Sequence, residues 1–381
     1  MRVPSGLATV AASLPANPFR PGRSLRPHLS FGRECERRRM TDELQNRSGE
    51  PVRMTVIGHK GSGKSVLMRQ VQEDAHEAGW LTVNLCVEAG SRLRDVVRSL
   101  SRVVSAAPAV TNRPVSPPMS EDSLPKCLGS LTDYARKRRH RGVLLAIDDA
   151  HLLFKHEQRL NSPLRHVLEA IVQAQVTGHE IALIAAGLPS LTVGLRSVVP
   201  RIVRSIHTEF LPPLDDRIMA SILDRSLGLR TASVDQSQLS RVVAACHGSP
   251  YLLQAWGSGV WDFLTDHRRD CLRGDDIDHI ALGTLRWLDD VFYGPSLSAL
   301  SATSQQCLRA ASECPYPPLK SRDLKAVWHR SAGDVDVALV RLSYEDGVFH
   351  KRYGEYEYTI PGFHDFLQRT ESGWCANPVR Q

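Results

Sequence analysis

The 381-residue chain has no stretch approaching eighteen uninterrupted apolar residues, so no membrane-spanning helix is expected. Its eight cysteines, Cys35, Cys86, Cys127, Cys246, Cys271, Cys307, Cys314 and Cys375, form no CxxC and pair with no histidine at ligand spacing. A zinc site is therefore not expected, and scattered thiols fit a reducing, cytoplasmic setting. GxSxG and HExxH are both missing, which removes those hydrolase classes. Most of the chain also lacks an excess of either charge. The formal net charge is +7, but the first forty residues hold eight arginines against Glu34 and Glu36, a local net charge of +6. The remainder is close to neutral and offers no global field for nucleic acid, although a basic arm remains. The opening "MRVPSGLATVAASLPA" is interrupted by Thr9 and two serines, so it reads as a disordered tail or an early start rather than a secretory signal.

Apolar runs alternate with helical patterns. Val52–Ile57, Leu81–Cys86, Val143–Ile147 and Ile181–Ala186 are expected strands, with Arg204–Phe210 a fifth. Ser65–Ala78, Arg92–Val104, Leu124–Lys137 and Pro163–Val176 are expected helices. This order implies an α/β fold with a parallel sheet and helices on both faces. The Pro- and Ser-rich stretch from Ser105 to Pro125 reads as a surface excursion. The basic run Ala135–Arg141 reads as a solvated helix cap. After "LPPLDD" the pattern becomes helical: Arg217–Ser226, Gln236–Cys246, Pro250–Leu264 and Asp276–Phe292. Three shorter helices follow, Ser304–Ser312, Ser321–Trp328 and Val335–Glu345, and then two strands around Gly354 within 347–360.

Between the first strand and the first helix, Gly58-x4-Gly63-Lys64-Ser65 fits the phosphate-loop pattern GxxxxGK[ST]. Glycines let backbone N–H groups turn inward as an anion nest, and the following helix points its positive dipole end at the phosphates. Gly58, Gly61, Ser62 and Gly63 are the candidate cradle, Lys64 the β/γ-phosphate cation, and Ser65 a Mg²⁺ ligand. His59 and Lys60, inside the same loop, read as filler, with tuning of nucleotide contact as the alternative. The strand of "VLLAIDDAH" (Val143–His151) would deliver carboxylates to the same sheet edge. Asp148 is the candidate Mg²⁺ ligand and Asp149 the residue that polarises an attacking water.

"FGRE" (Phe31–Glu34), the phosphate loop, "AIDDAH", "AAGLPSL" (Ala185–Leu191), "RIVRSIHTEFLPPL" (Arg201–Leu214) and "GSPYLLQAWG" (Gly248–Gly257) occur in that order. Together they resemble the AAA+ ATPases related to origin-recognition proteins and the neighbouring STAND switch ATPases. "NPFRPG" (Asn17–Gly22) resembles the start of bacterial ATP-binding proteins of this type. The resemblance implies ATP and Mg²⁺ as cofactors. It places Gly32 and Arg33 by the adenine, and Arg201 or Arg204 at the γ-phosphate, in cis or across a subunit interface. It also places Pro250, in the turn Gly248-Ser249-Pro250, as the approach of a lid to the nucleotide. A plain helix start with Pro near its first position is compatible with that role. Two departures favour slow turnover: the strand before "GLPSL" ends in Ala185-Ala186-Gly187, without a polar side chain, and the lid helix lacks the arginine of hexameric machines.

The resulting expectation is a P-loop NTPase core over 31–212 after a basic segment 1–30. An all-α lid would cover 213–293 and a winged helix 294–381. The function is ATP binding with slow hydrolysis that drives a conformational switch. The alternatives are a nucleotide-gated adaptor with negligible turnover, which binds a protein partner, and a replication-type initiator or loader that binds duplex DNA. The third winged-helix helix carries Asp334 and Asp336 at its start and Arg341 as its only base. DNA contact, protein docking and intramolecular clamping therefore all stay open for that domain. Self-association through the face that carries Arg201 and Arg204 is a further expectation, and no membrane partner is expected.

Overall fold

The computed structural model describes residues 15–22, 32–45, 50–85, 87–88, 91–106, 123–154, 161–230, 232–315 and 317–371. Phe31, Cys86, the segment 1–14 and most of the Pro- and Ser-rich stretch lie outside the described residues.

The first part is built in this order: α1 (Glu34–Gln45), β1 (Arg53–Gly58), α2 (Lys64–Glu77), β2 (Leu81–Leu85), α3 (Leu93–Ala106), α4 (Ser123–Lys137), β3 (Val143–Ile147), α5 (Pro163–Val176), β4 (Ile181–Gly187), α6 (Ser190–Val198) and β5 (His207–Leu211). The strands form one parallel sheet in the order β2-β3-β4-β1-β5. Every residue of β1, β3 and β4 is buried, which is why these strands read as continuous apolar runs rather than alternating ones. The pleat still divides them. Val143, Leu145 and Ile147 face a layer with α3, α4, α5 and α6, while Leu144 and Ala146 face a layer with α1 and α2.

The second part is α7 (Asp216–Gly228), α8 (Gln236–Ala245), α9 (Pro250–Asp266), α10 (Asp276–Leu288) and α11 (Gly294–Ser298). Asp215, Asp235 and Ser249 cap α7, α8 and α9 by accepting backbone N–H groups. The last part is α12 (Ala302–Ser312), β6 (Leu319–Lys320), α13 (Ser321–Val327), α14 (Ala332–Tyr344), β7 (Phe349–Arg352), β8 (Glu355–Tyr358) and α15 (Phe363–Glu371). Its strands form an antiparallel sheet in the order β6-β8-β7. The apolar residues from Leu214 to Leu367 form one continuous buried cluster, which Phe19 joins from the N-terminal side.

Three sequence expectations change. The fifth strand was expected from Arg204, but Ile202–Ser205 is a single 3₁₀ turn and pairing begins at His207. The helix expected over Asp276–Phe292 passes into a π-helical turn at Asp289–Tyr293. That turn places Phe292 and Tyr293 on adjoining sides: Phe292 stacks on Tyr251 at 4.5 Å and Tyr293 on Phe366 at 5.2 Å. Finally, α1, α6 and α15 form where the sequence reading assigns no element.

Candidate nucleotide-binding site

The parallel register brings the ends of β1, β3 and β4 to one sheet edge. Ile57 lies beside Gly187, and Ile147 beside Ala185. The loop after β1 and the carboxylates after β3 therefore emerge side by side. Gly61 (φ 78°) and Gly63 (φ 92°) take left-handed conformations, open to glycine at no steric cost. Gly63 is the N-cap of α2, so the loop ends at a 14-residue helix with its N–H groups forward.

Lys64 is 7% exposed, and its Nζ donates to the carbonyls of Gly58 (3.0 Å) and His59 (2.8 Å). Burial lowers its pKa to about 8, opposed by Asp149 and Asp148. A buried ammonium facing two carboxylates is suited to a polyanion, because an added negative charge restores what desolvation removes. The Ser62 hydroxyl is buried and finds no hydrogen-bond partner among the described residues. A Cβ on Gly58 would stand 2.5 Å from that oxygen. The loop thus fits a phosphate chain in its backbone shape, its lysine and its unsatisfied hydroxyl.

Asp148 and Asp149 follow β3, and the Asp148 carboxylate accepts from the Asp149 N–H at 3.0 Å. Asp149 takes a left-handed conformation (φ 50°), a position where aspartate is tolerated and bulkier residues are strained. Lost solvation, followed by the charge of Asp148, raises the Asp149 carboxyl above its usual range; Lys64 and Lys60 oppose this. His151 had no role assigned from sequence. Its Nδ1 lies 3.9 Å from Asp149, and burial, with Lys64 behind it, lowers its pKa to about 4. A neutral imidazole therefore stands beside the carboxylate. Its signal was its place three residues after Asp148 in the quoted motif.

Gly32 and Arg33 lie just before α1, and Arg33 reaches the loop. Arg33 donates to the Pro212 carbonyl and, at 3.5 Å, to that of Ser62. A Cβ on Gly32 would meet Ile218 at 2.8 Å, so this segment packs closely on α7. Pro250 also reaches the loop: a Cβ on Gly63 would sit 3.8 Å from its Cγ. The Gly61 carbonyl accepts from the Tyr251 N–H (3.2 Å) and the Ser249 hydroxyl (3.3 Å).

Arg201 and Arg204 are exposed and lie before β5. The first residue of β5 pairs with Met54, and only its last residue, Leu211, reaches Gly58. The two arginines therefore sit at the opposite sheet edge from the loop, at least ~13 Å away at the rise of a strand. The fold does not bring them to the loop of their own chain.

Lys60, read from sequence as loop filler, is a contact residue. Its backbone N–H donates to the Thr359 carbonyl at 3.0 Å. Its Nζ donates to the Ser296 hydroxyl and lies 4.9 Å from the Phe292 ring centroid. No local signal in the sequence joins a loop near the start of the chain to a strand near its end. A cavity beside the loop is lined by His59, Ser62, His247, Glu357, Tyr358 and His364 among others.

Residues 30–184 match the family model of the AAA ATPase domain. No curated protein matches the chain. Among solved structures, the chain is similar to the Walker-type ATPase PABY2304 of Pyrococcus abyssi (TM-score 0.68, 16% identity, covering 90% of this chain and 97% of that one). It is also similar to the Aeropyrum pernix ORC2 protein in its ADPNP–ADP complexes (TM-score 0.62, 15% identity, 94% and 100% covered). A third is the Aeropyrum pernix ORC1 protein in complex with DNA (TM-score 0.51, 14% identity, 91% and 93% covered). At these identities the likeness is one of fold. A parallel-sheet core followed by helical elements is thus a fold common to this chain and to those structures. Among the described residues, no helix is long and apolar enough to cross a membrane.

Proposed function

We propose that the chain is a Mg²⁺-dependent, ATP-binding and slowly ATP-hydrolysing switch of the AAA+/STAND kind. Its core (31–212) meets a lid (213–293) and a winged helix (294–381) across the phosphate loop. The observation that carries the reading is the double contact of that loop: the Lys60 N–H is held by Thr359 and the Gly61 carbonyl by Tyr251 and Ser249. Filling the loop with a triphosphate changes the groups to which both later segments are attached. A ligand can move an equilibrium only through such differential contact.

In this reading Lys64 and the loop N–H groups hold the phosphates, Ser65 and Asp148 hold Mg²⁺, and Asp149 polarises the attacking water. The bound Mg²⁺ supplies charge neutralisation at the phosphates. Gly32 and Arg33 flank the base, and the lack of an NKxD run favours adenine over guanine. Arg201 and Arg204 act on the nucleotide of a second copy. The apolar end of β4, Ala185-Ala186-Gly187, supports slow turnover, and it equally favours the adaptor with negligible turnover.

Duplex DNA is the weaker partner reading. Lys320, Lys325 and Arg341 pair with Glu355, Asp336 and Glu345, and Val337 and Val340 are exposed on α14. A protein surface suits that face better than phosphates do. The test is phosphate release from ATP by the full chain, with Lys64→Ala and Asp149→Asn, with and without duplex DNA. Turnover lost in both variants supports the ATPase, and stimulation by DNA restores the initiator reading. Binding that needs Lys64 without any turnover leaves the adaptor.

A further inference from the structure

We propose that Lys60 is a second phosphate-loop cation: it contacts the γ-phosphate of a bound nucleoside triphosphate and is exchanged between that phosphate and the Ser296–Phe292 face. This inference rests on the reading of the loop as a triphosphate site.

Lys60 precedes Lys64 by four positions in one loop. It is half-buried, and its ammonium is held by one neutral hydroxyl, that of Ser296, and one ring face, that of Phe292. Neither acceptor carries charge, although the group has been drawn out of water. Burial lowers the Lys60 pKa and Asp149 raises it, while Lys60 in turn lowers that of Lys64. Lys60 and Lys64 thus belong to one loop, and each feels the charge of Asp149, the residue read as placing the attacking water.

A phosphate oxygen is a stronger acceptor for an ammonium than a serine hydroxyl is, because the hydrogen bond becomes charge-assisted on both sides. A triphosphate therefore draws Lys60 away from Ser296, whereas a diphosphate leaves it there. The same residue anchors the loop to Thr359 through its backbone. Moving its side chain thus breaks the Ser296 contact next to the backbone bond to Thr359. Lys60 would distinguish the two nucleotides and report the difference to the π-turn at Asp289–Tyr293.

The test is calorimetric titration of the full chain with Mg²⁺–adenylyl imidodiphosphate and with Mg²⁺–ADP. Lys60→Met keeps an apolar stem over Phe292 and removes the charge. It should lose about tenfold or more in affinity for the triphosphate analogue and stay within about twofold of wild type for ADP. Lys60→Arg should keep the discrimination, and Ser296→Ala should tighten triphosphate binding by releasing the lysine. Equal loss of both ligands in Lys60→Met, or of neither while Lys64→Ala loses both, overturns the role of Lys60 alone. Unchanged or weaker triphosphate binding in Ser296→Ala overturns the exchange. Normal binding of both ligands by Lys64→Ala overturns the site reading, and Lys60 with it.

Discussion

The two halves of the molecule are cored differently. The sheet half keeps two separate apolar layers, one on each face, divided by strands that are buried throughout. The half from Leu214 to Leu367 has a single layer that runs without a break from the first helices into the C-terminal sheet. Between the halves, the contacts at the phosphate loop are mostly single hydrogen bonds and side-chain touches: Lys60 to Thr359, Ser296 and the Phe292 ring, Gly61 to Tyr251 and Ser249, and Pro250 near Gly63. A shared core resists shearing because its side chains interdigitate, whereas a few hydrogen bonds can be exchanged. The comparison teaches that the helical and C-terminal segments behave as one body, and that the seam able to open lies at the loop.

The comparison can be broken most forcefully in the shared core. Phe363 is fully buried, 6.2 Å from Tyr293 and 5.6 Å from Phe366, so it ties the C-terminal sheet to the π-turn. Phe363→Ala should cost about 3–5 kcal/mol in denaturant unfolding. Hydrogen exchange should rise in α9 and α10 as well as in α14. An increase confined to α14 and its sheet would show two bodies instead of one.

At the seam, the larger effect is expected from Gly61→Ala. The backbone there is left-handed, and the new Cβ would lie 2.9 Å from both Ser249 Oγ and Tyr251 Cβ. The expected cost is about 1–3 kcal/mol, with protease sensitivity appearing near 248–251 while the sheet half stays intact. Ser249→Ala comes next. It removes the cap of α9, accepted from the Leu252 N–H at 3.4 Å, together with the hydroxyl on Gly61. A thermal melt should report a loss of about 1 kcal/mol.

The smallest effect is expected at the pair His247–Asp365, 3.5 Å apart and partly exposed. The hydrogen bond from His247 holds the Asp365 carboxyl below its usual range. A carboxylate depressed in the folded state contributes stability above its unfolded pKa and loses it as the pH falls through the folded value. Asp365→Asn should therefore cost less than about 1 kcal/mol at neutral pH, and nothing once the pH is below that lowered value. A difference between variant and wild type that persists in acid would exclude the ion pair as its cause.

Legibility from sequence follows the range of the interactions. Helix α5 is read to the residue, because Pro163 starts it and its apolar face is regular. The loop and its carboxylates are legible because phosphate binding fixes residue types at fixed spacing. Helix α1 is not: only Met40 and Leu44 are buried along its twelve residues, too few to show a period. Helix α6 runs only nine residues beyond Pro189, and α15 hides its apolar face among aromatic contacts from distant segments. Arg201 and Arg204 are legible as arginines before an edge strand, but their distance from the loop depends on strand register, which the residues themselves do not encode. Lys60 fails for the same reason in reverse: its partners come from the far end of the chain.

The central claim is that the C-terminal body is seated on the phosphate loop and that the triphosphate unseats it. Hydrogen exchange of the full chain, read at the Lys60 amide and across 355–364, tests this directly in three states: without nucleotide, with Mg²⁺–ADP and with Mg²⁺–adenylyl imidodiphosphate. The account predicts that the Lys60 amide and the 355–364 segment are protected without nucleotide and with ADP. With the triphosphate analogue both should exchange faster, and Lys64→Ala should abolish the change. Equal protection in all three states, under conditions where calorimetry shows the analogue bound, would contradict it.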